Sequence, residues 1–216
     1  MRLLLTALTA VFLGIGSQSS AFGQDQSDDG KTTFSDIVSE VRFGVLAHNI
    51  PIGGSADAEN QEEGENVQVE ILFHTPKRLR WKYFFDPEPY IVGSWNTAGN
   101  TSFGGFGLNW DWQLGKKKRW EIETSLGYIV HSGEIDIPFP NDLNNPANAA
   151  FDNNNILFGS RDLFRTTLAL NRHIGERWGA QLIYEHLSHG QIIGDGRNQG
   201  NDSVGGRIYY RFGRVD

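Results

Sequence analysis

The sequence contains no cysteine, which excludes disulfides, thiolate metal sites and a cysteine nucleophile. It also lacks a basic excess. Lys and Arg number 19 against 26 Asp and Glu, a formal net charge of −7. Nucleic acid is therefore not an expected partner, because neutralising phosphates needs a basic surface. Beyond the N-terminus no segment approaches the run of about 18 apolar residues that a spanning helix needs. No stretch shows the 3.6-residue period of an amphipathic helix, and no repeat is present beyond a period of two. The 216 residues are instead rich in glycine (26) and aromatics (14 Phe, 6 Trp, 6 Tyr). The length suits one domain, and this aromatic content is not that of a disordered chain.

The chain opens Met1-Arg2, and Leu3 to Gly16 is nearly all apolar. Polar Ser17-Gln18-Ser19-Ser20 leads to Ala21-Phe22-Gly23, with small residues at −3 and −1. This is the pattern of a secretory signal peptide, residues 1–23, cleaved after Gly23. Cleavage removes only Arg2 among the charged residues and takes the net charge from −7 to −8. Polar, Asp-rich 24–35 reads as a flexible lead to a domain over 36–213.

Within that domain apolar and polar residues alternate. Val41, Phe43, Val45 and Ala47 alternate with Arg42, Gly44, Leu46 and His48. Val67, Val69, Ile71 and Phe73 alternate with Gln68, Glu70, Leu72 and His74. Similar patterns predict eight strands, over 36–49, 66–75, 89–97, 103–114, 119–131, 159–172, 177–188 and 203–213. Long loops rich in Gly, Asn and Asp alternate with short turns such as Gly115-Lys116-Lys117-Lys118 and His173-Ile174-Gly175-Glu176. Only 76–88 departs from that trend. The fold class is all-β, an eight-stranded antiparallel outer-membrane β-barrel, apolar outward and polar inward, with aromatic girdles. A soluble lipocalin-like barrel has the same alternation with the opposite polarity. On the last strand, Ile208, Tyr210 and Phe212 are expected to face lipid, with Tyr210 near mid-membrane. Arg207 and Arg211 are expected to face the lumen, with Glu70, Glu121 and Glu123 as candidate partners. His48, His74, His131 and His173 are scattered without metal-ligand spacing, and neither a metal nor a cofactor is expected. Asn- and Asp-rich 141–155 lacks the ligand spacing of a calcium loop.

The candidate chemistry sits at the end of the seventh strand. Residues two apart share a face, so His186 and Ser188 form a minimal base–nucleophile unit. They share parity with Trp178, Ala180, Leu182 and Tyr184, the more aromatic face, and would therefore point outward. With the N-terminus periplasmic, the seventh strand ends at the external rim, beside lipopolysaccharide. A third group should orient the imidazole. Asp202, at the start of the antiparallel eighth strand, ranks first and Asp195 second, while Glu185 has the opposite parity.

His186-Leu187-Ser188-His189-Gly190, Asn198-Gln199-Gly200-Asn201-Asp202 and Gly205-Gly206-Arg207-Ile208-Tyr209-Tyr210-Arg211-Phe212 resemble the end of PagL-type lipid A 3-O-deacylases. That family pattern is approximately His-x-Ser-Asn-(Ala/Gly), then Asn-x-Gly-x-(Glu/Asp), then a strand ending Tyr-Arg-Phe. Val41 to His48 and Asn96-Thr97-Ala98-Gly99-Asn100-Thr101-Ser102 are also similar. The resemblance implies an outer-membrane barrel that hydrolyses the ester-linked 3-position acyl chain of lipid A, with its site near the outer leaflet. By position Ser188 would be the nucleophile, His186 the base and Asp202 the acid. His189 replaces the family Asn implicated in oxyanion stabilisation, so His189 or the Gly190 N–H would have to donate, with Asn198 also at the site. The implied partners are lipopolysaccharide as substrate and outer-membrane lipid, with a homodimer left open. A non-catalytic barrel with structural or adhesive loops, and a phospholipase of the same membrane, are the alternatives.

Overall fold

In the computed structural model, residues 32–50, 62–76, 85–116, 119–194 and 196–212 are described. The expected signal peptide and residues 24–31 of the lead lie outside them. The barrel unit begins at Thr33. Its strands are β1 (Val38–Ala47), β2 (Glu65–Phe73), β3 (Glu88–Asn96), β4 (Phe103–Leu114), β5 (Trp120–His131), β6 (Asp162–His173), β7 (Trp178–Ser188) and β8 (Asn201–Arg211). Each pairs antiparallel with the next, and β1 closes on β8. Every strand starts and stops within three residues of its expected bounds, because alternation and turn residues are local signals.

The barrel is polar inside and apolar outside. Arg42, Gln68, Asn171 and Glu185 are buried, whereas Leu126, Leu168, Leu182 and Ile208 are at least half exposed. Water would penalise that exterior at about 25 cal/mol per Å², and a hydrocarbon surround would not. This is the polarity of a membrane barrel, and the soluble, apolar-cored alternative is ruled out. Slipping one strand by one residue would turn its charges onto the apolar wall, so the register is strongly specified.

The lumen is filled by ion pairs. Glu70 faces three guanidiniums, with Arg42 Nη1 at 3.1 Å and Arg207 Nη1 at 3.0 Å. Arg165 Nη1 lies 2.8 Å from the other Glu70 oxygen, an ion contact outside hydrogen-bonding angles. Arg211 bonds Glu40 at 2.8 Å and Glu121 at 2.7 Å. The expected partners Glu70 and Glu121 thus serve Arg207 and Arg211. Glu123 does not, and instead takes both Nη groups of Arg42.

Tyr210 is not mid-membrane. It pairs with Val41 and Trp178 at the short-turn rim and stacks on Trp178 and Phe212 at 4.9 Å each. Its hydroxyl accepts a hydrogen bond from Arg177 Nη1 at 3.0 Å. A charge at this girdle position should therefore cost only about 0–1 kcal/mol. Leu168, 57% exposed between Thr124 and Tyr184, occupies the middle of the wall. Leu168→Arg is expected to lose about 2–4 kcal/mol of folding free energy in lipid vesicles, measured by urea titration. Parental stability in that variant would exclude lipid from this face.

Among the described residues two short helices interrupt the loops, where the sequence showed no helical period. α1 (Phe34–Ile37) is capped by Thr33 and Asp36 and sets Phe34 against Phe212 at 5.1 Å. α2 (Pro146–Asp152) starts at Pro146, with the Asn145 side chain accepting from Ala147 N–H. Neither is long enough to display a 3.6-residue pattern.

A buried polar cluster ties the long-loop end together. Glu62 bonds His48 Nε2 at 2.7 Å and accepts from the Thr101 hydroxyl at 3.0 Å and its N–H at 3.1 Å. Asn66 and Asn201 both reach His48 Nδ1. Below it, Ile156 and Phe158 of the 132–161 loop pack with Ile129, Leu163 and Leu187. Burial pushes the Glu62 carboxyl up, but the His48 hydrogen bond and charge and the Thr101 donors outweigh burial and hold it below the usual carboxylate range. A depressed carboxyl contributes stability above its unfolded value, near about 4.3, and that stability is lost as pH falls through the lowered one. The protection of the Thr101 amide, taken relative to its intrinsic exchange rate at each pH, should therefore fall below about pH 4, and Glu62→Gln should abolish that acid dependence. Protection unchanged in acid would show that the carboxylate does not hold the loops.

Candidate active site

β7 carries its outward side chains to the long-loop rim in the order Leu182, Tyr184, His186, Ser188, while Gln181, Ile183, Glu185 and Leu187 point inward and are buried. From Trp178 to Ser188 a strand tilted as in such barrels climbs about 25 Å, the height of an apolar membrane band. Trp178 belongs to the aromatic girdle at the short-turn end. Ser188 therefore sits at the opposite, long-loop end of the wall.

Asp202 is the direct cross-strand partner of His186. His186 Nδ1 lies 2.7 Å from Asp202 Oδ1, and His186 Nε2 lies 3.0 Å from Ser188 Oγ. A carboxylate only accepts, so the imidazole proton belongs on Nδ1. Nε2 is then left bare to accept from the Ser188 hydroxyl. Asp202 is 1% exposed and the His186 side chain 36%. The acid is thus sheltered while the imidazole is open to the barrel exterior. Gly200 passes so close that a Cβ there would lie 2.9 Å from His186 Cε1, so a larger residue would displace the ring.

The other expected site residues fall differently. The His189 ring is buried inside the 189–200 loop. Its Nε2 donates to Arg197 O at 2.9 Å and its Nδ1 accepts from Gln191 N–H at 3.0 Å. Both ring nitrogens are therefore committed to the loop. A bond from this ring to an oxyanion would require unmaking one of these. Asn198 Oδ1 accepts the His189 N–H at 3.2 Å and closes the loop. Gly190, at φ +59°, turns the chain immediately after the strand. Among the described residues neither the Gly190 N–H nor the Asn198 side-chain amide nitrogen has an acceptor. Glu185 faces the lumen, bonding Arg165 at 2.6 Å. Asp195 lies outside the described residues.

Tyr184 was legible only as a girdle aromatic. Its hydroxyl donates to Asp202 Oδ1 at 2.7 Å, the same oxygen that His186 engages. The spacing Tyr184-x-His186-x-Ser188 places all three on one face and could have marked it.

A closed antiparallel barrel of eight strands with a charged lumen and an apolar wall defines the chain as a barrel of the outer-membrane type. No family model matches the sequence, and no curated protein matches it. Among solved structures the fold is similar to that of the outer membrane enzyme PagL, with a TM-score of 0.51 and 12% identity over 79% of this chain and 98% of that one. Neisserial surface protein A aligns with a TM-score of 0.47 and 7% identity over 82% of this chain and 97% of that one.

Proposed function

We propose that the protein is an outer-membrane serine esterase that hydrolyses the ester-linked 3-position acyl chain of lipid A and releases a 3-hydroxy fatty acid. The observation that carries this reading is the continuous hydrogen-bonded chain Ser188–His186–Asp202 on the outer wall of the barrel, at the rim where a lipid ester would lie. A polar set on a lipid-facing wall is costly to maintain without a use. The likeness of the fold to an outer-membrane enzyme agrees with the location.

In this mechanism the Ser188 hydroxyl transfers its proton to His186 Nε2 as Oγ bonds to the acyl carbonyl carbon. The imidazolium is held by Asp202. Collapse of the tetrahedral intermediate breaks the ester C–O bond, and the departing sugar oxygen takes the proton from His186. Water then attacks the acyl-enzyme, giving its proton to His186. The fatty acid leaves as Ser188 recovers its hydrogen. The Gly190 N–H and the Asn198 amide are the proposed donors to the developing oxyanion.

The test is incubation of the purified barrel with lipid A in detergent, followed by mass spectrometry. Loss of one 3-hydroxyacyl chain is expected. Release from phospholipid alone would make it a phospholipase, and release from neither would make it a non-catalytic barrel.

A further inference from the structure

The Asp202 carboxylate is placed unusually for the acid of such a set. It lies on the outer wall of the barrel, and it is 1% exposed. The outward neighbours on the flanking strands, Ala47 of β1, Phe164 and Thr166 of β6 and Val204 of β8, carry no charge. A carboxylate in an apolar, water-poor surround must be hydrogen-bonded to remain ionised. At a lipid-covered wall, the protein itself must supply the donors. The structure supplies one from below: Tyr184 sits diagonally across the β7–β8 ladder, opposite Val204, and its ring reaches up to bring the hydroxyl to 2.7 Å from Asp202 Oδ1. Diagonal cross-strand neighbours are within reach of an aromatic side chain.

We propose that Tyr184 is a positioning residue for this site, its hydroxyl fixing the Asp202 carboxylate in the orientation that meets His186 Nδ1. The inference rests on the proposed esterase function. Tyr184 touches neither the nucleophile nor the reacting carbonyl; it acts through Asp202. Without its donor the carboxylate loses one of the bonds that fix its direction, and the imidazole it orients is held less well.

The experiment is labelling of Ser188 by a fluorophosphonate probe as a function of pH, on the full mature barrel in detergent micelles. This readout needs no knowledge of the lipid. Variants are Tyr184→Phe, Asp202→Asn and the double variant, with heat-modifiable migration confirming each fold and Ser188→Ala as the unlabelled control. Tyr184→Phe is expected to label roughly 10–100-fold more slowly at neutral pH, the range for a hydrogen bond to a charged group. In the Asp202→Asn background the same change should have little further effect, because its target charge is gone. An unchanged rate in Tyr184→Phe, or an equal loss in both backgrounds, would overturn the role of Tyr184 and leave the esterase reading intact. A parent barrel unlabelled at any pH would overturn both.

Discussion

Replacing Ser188 by alanine is expected to abolish ester hydrolysis, by on the order of 10⁴–10⁶-fold, while the barrel still migrates as a folded, heat-modifiable species. The side chain ends at the strand terminus with one hydrogen bond, to His186. Its loss removes the nucleophile and little else. His186→Asn should be as damaging, since an amide nitrogen cannot accept the serine proton near neutral pH. Asp202→Ala should be milder, because the base survives without its orienting partner at reduced efficiency. It will not be harmless: Asp202 also receives the Tyr184 hydroxyl, so two donors lose their acceptor together. His189→Ala is expected to lower the rate through disorder of the 189–200 loop, and His189→Asn is not expected to restore it, because the loop needs both ring nitrogens. Release of 3-hydroxy fatty acid from lipid A measures all five, and undiminished release by Ser188→Ala would end the proposed mechanism.

Glu70→Ala should cost the barrel about 3–5 kcal/mol, the usual consequence of removing one member of a buried ion-pair network. Three guanidiniums, Arg42, Arg165 and Arg207, converge on this carboxylate in a lumen closed to solvent. Arg42 would keep Glu40 and Glu123 and Arg165 would keep Glu185, but Arg207 would be left with a carboxylate no nearer than Glu185 at 4.0 Å. The loss is a large share of the roughly 5–15 kcal/mol that a domain of this kind has. The comparison is Asp152→Ala, which breaks the exposed ion pair with Arg197 and should change stability by at most about 1 kcal/mol. Urea-induced unfolding from lipid vesicles, followed by tryptophan emission, separates the two. Equal midpoints for Glu70→Ala and the parent would mean that water, and not this network, solvates the lumen arginines.

Much of this arrangement was readable in the sequence. Alternation over residues such as Val41 to Ala47 and Trp178 to Ser188 placed the strands, because the two-residue period is set by the chain's own pleat. Parity put His186 and Ser188 on one face, and antiparallel order brought Asp202 near them. Three things were not local and so were not readable. The direction of polarity depends on which face closes inward, and alternation is the same for a barrel in water and one in lipid; the buried Arg42 and Glu70 and the exposed Leu168 decide it. Ion-pair partners depend on distances across the lumen, which is why Glu123 joined Arg42 rather than Arg207 or Arg211. The roles of His189 and Tyr184 depend on where loops and rings fold back: one ring is consumed by its own loop, the other reaches diagonally to Asp202. Period and order along the chain determined the strands and which residues share a face. Only closure of the barrel, which brings residues distant in sequence within hydrogen-bonding range, decided what each polar group is bonded to.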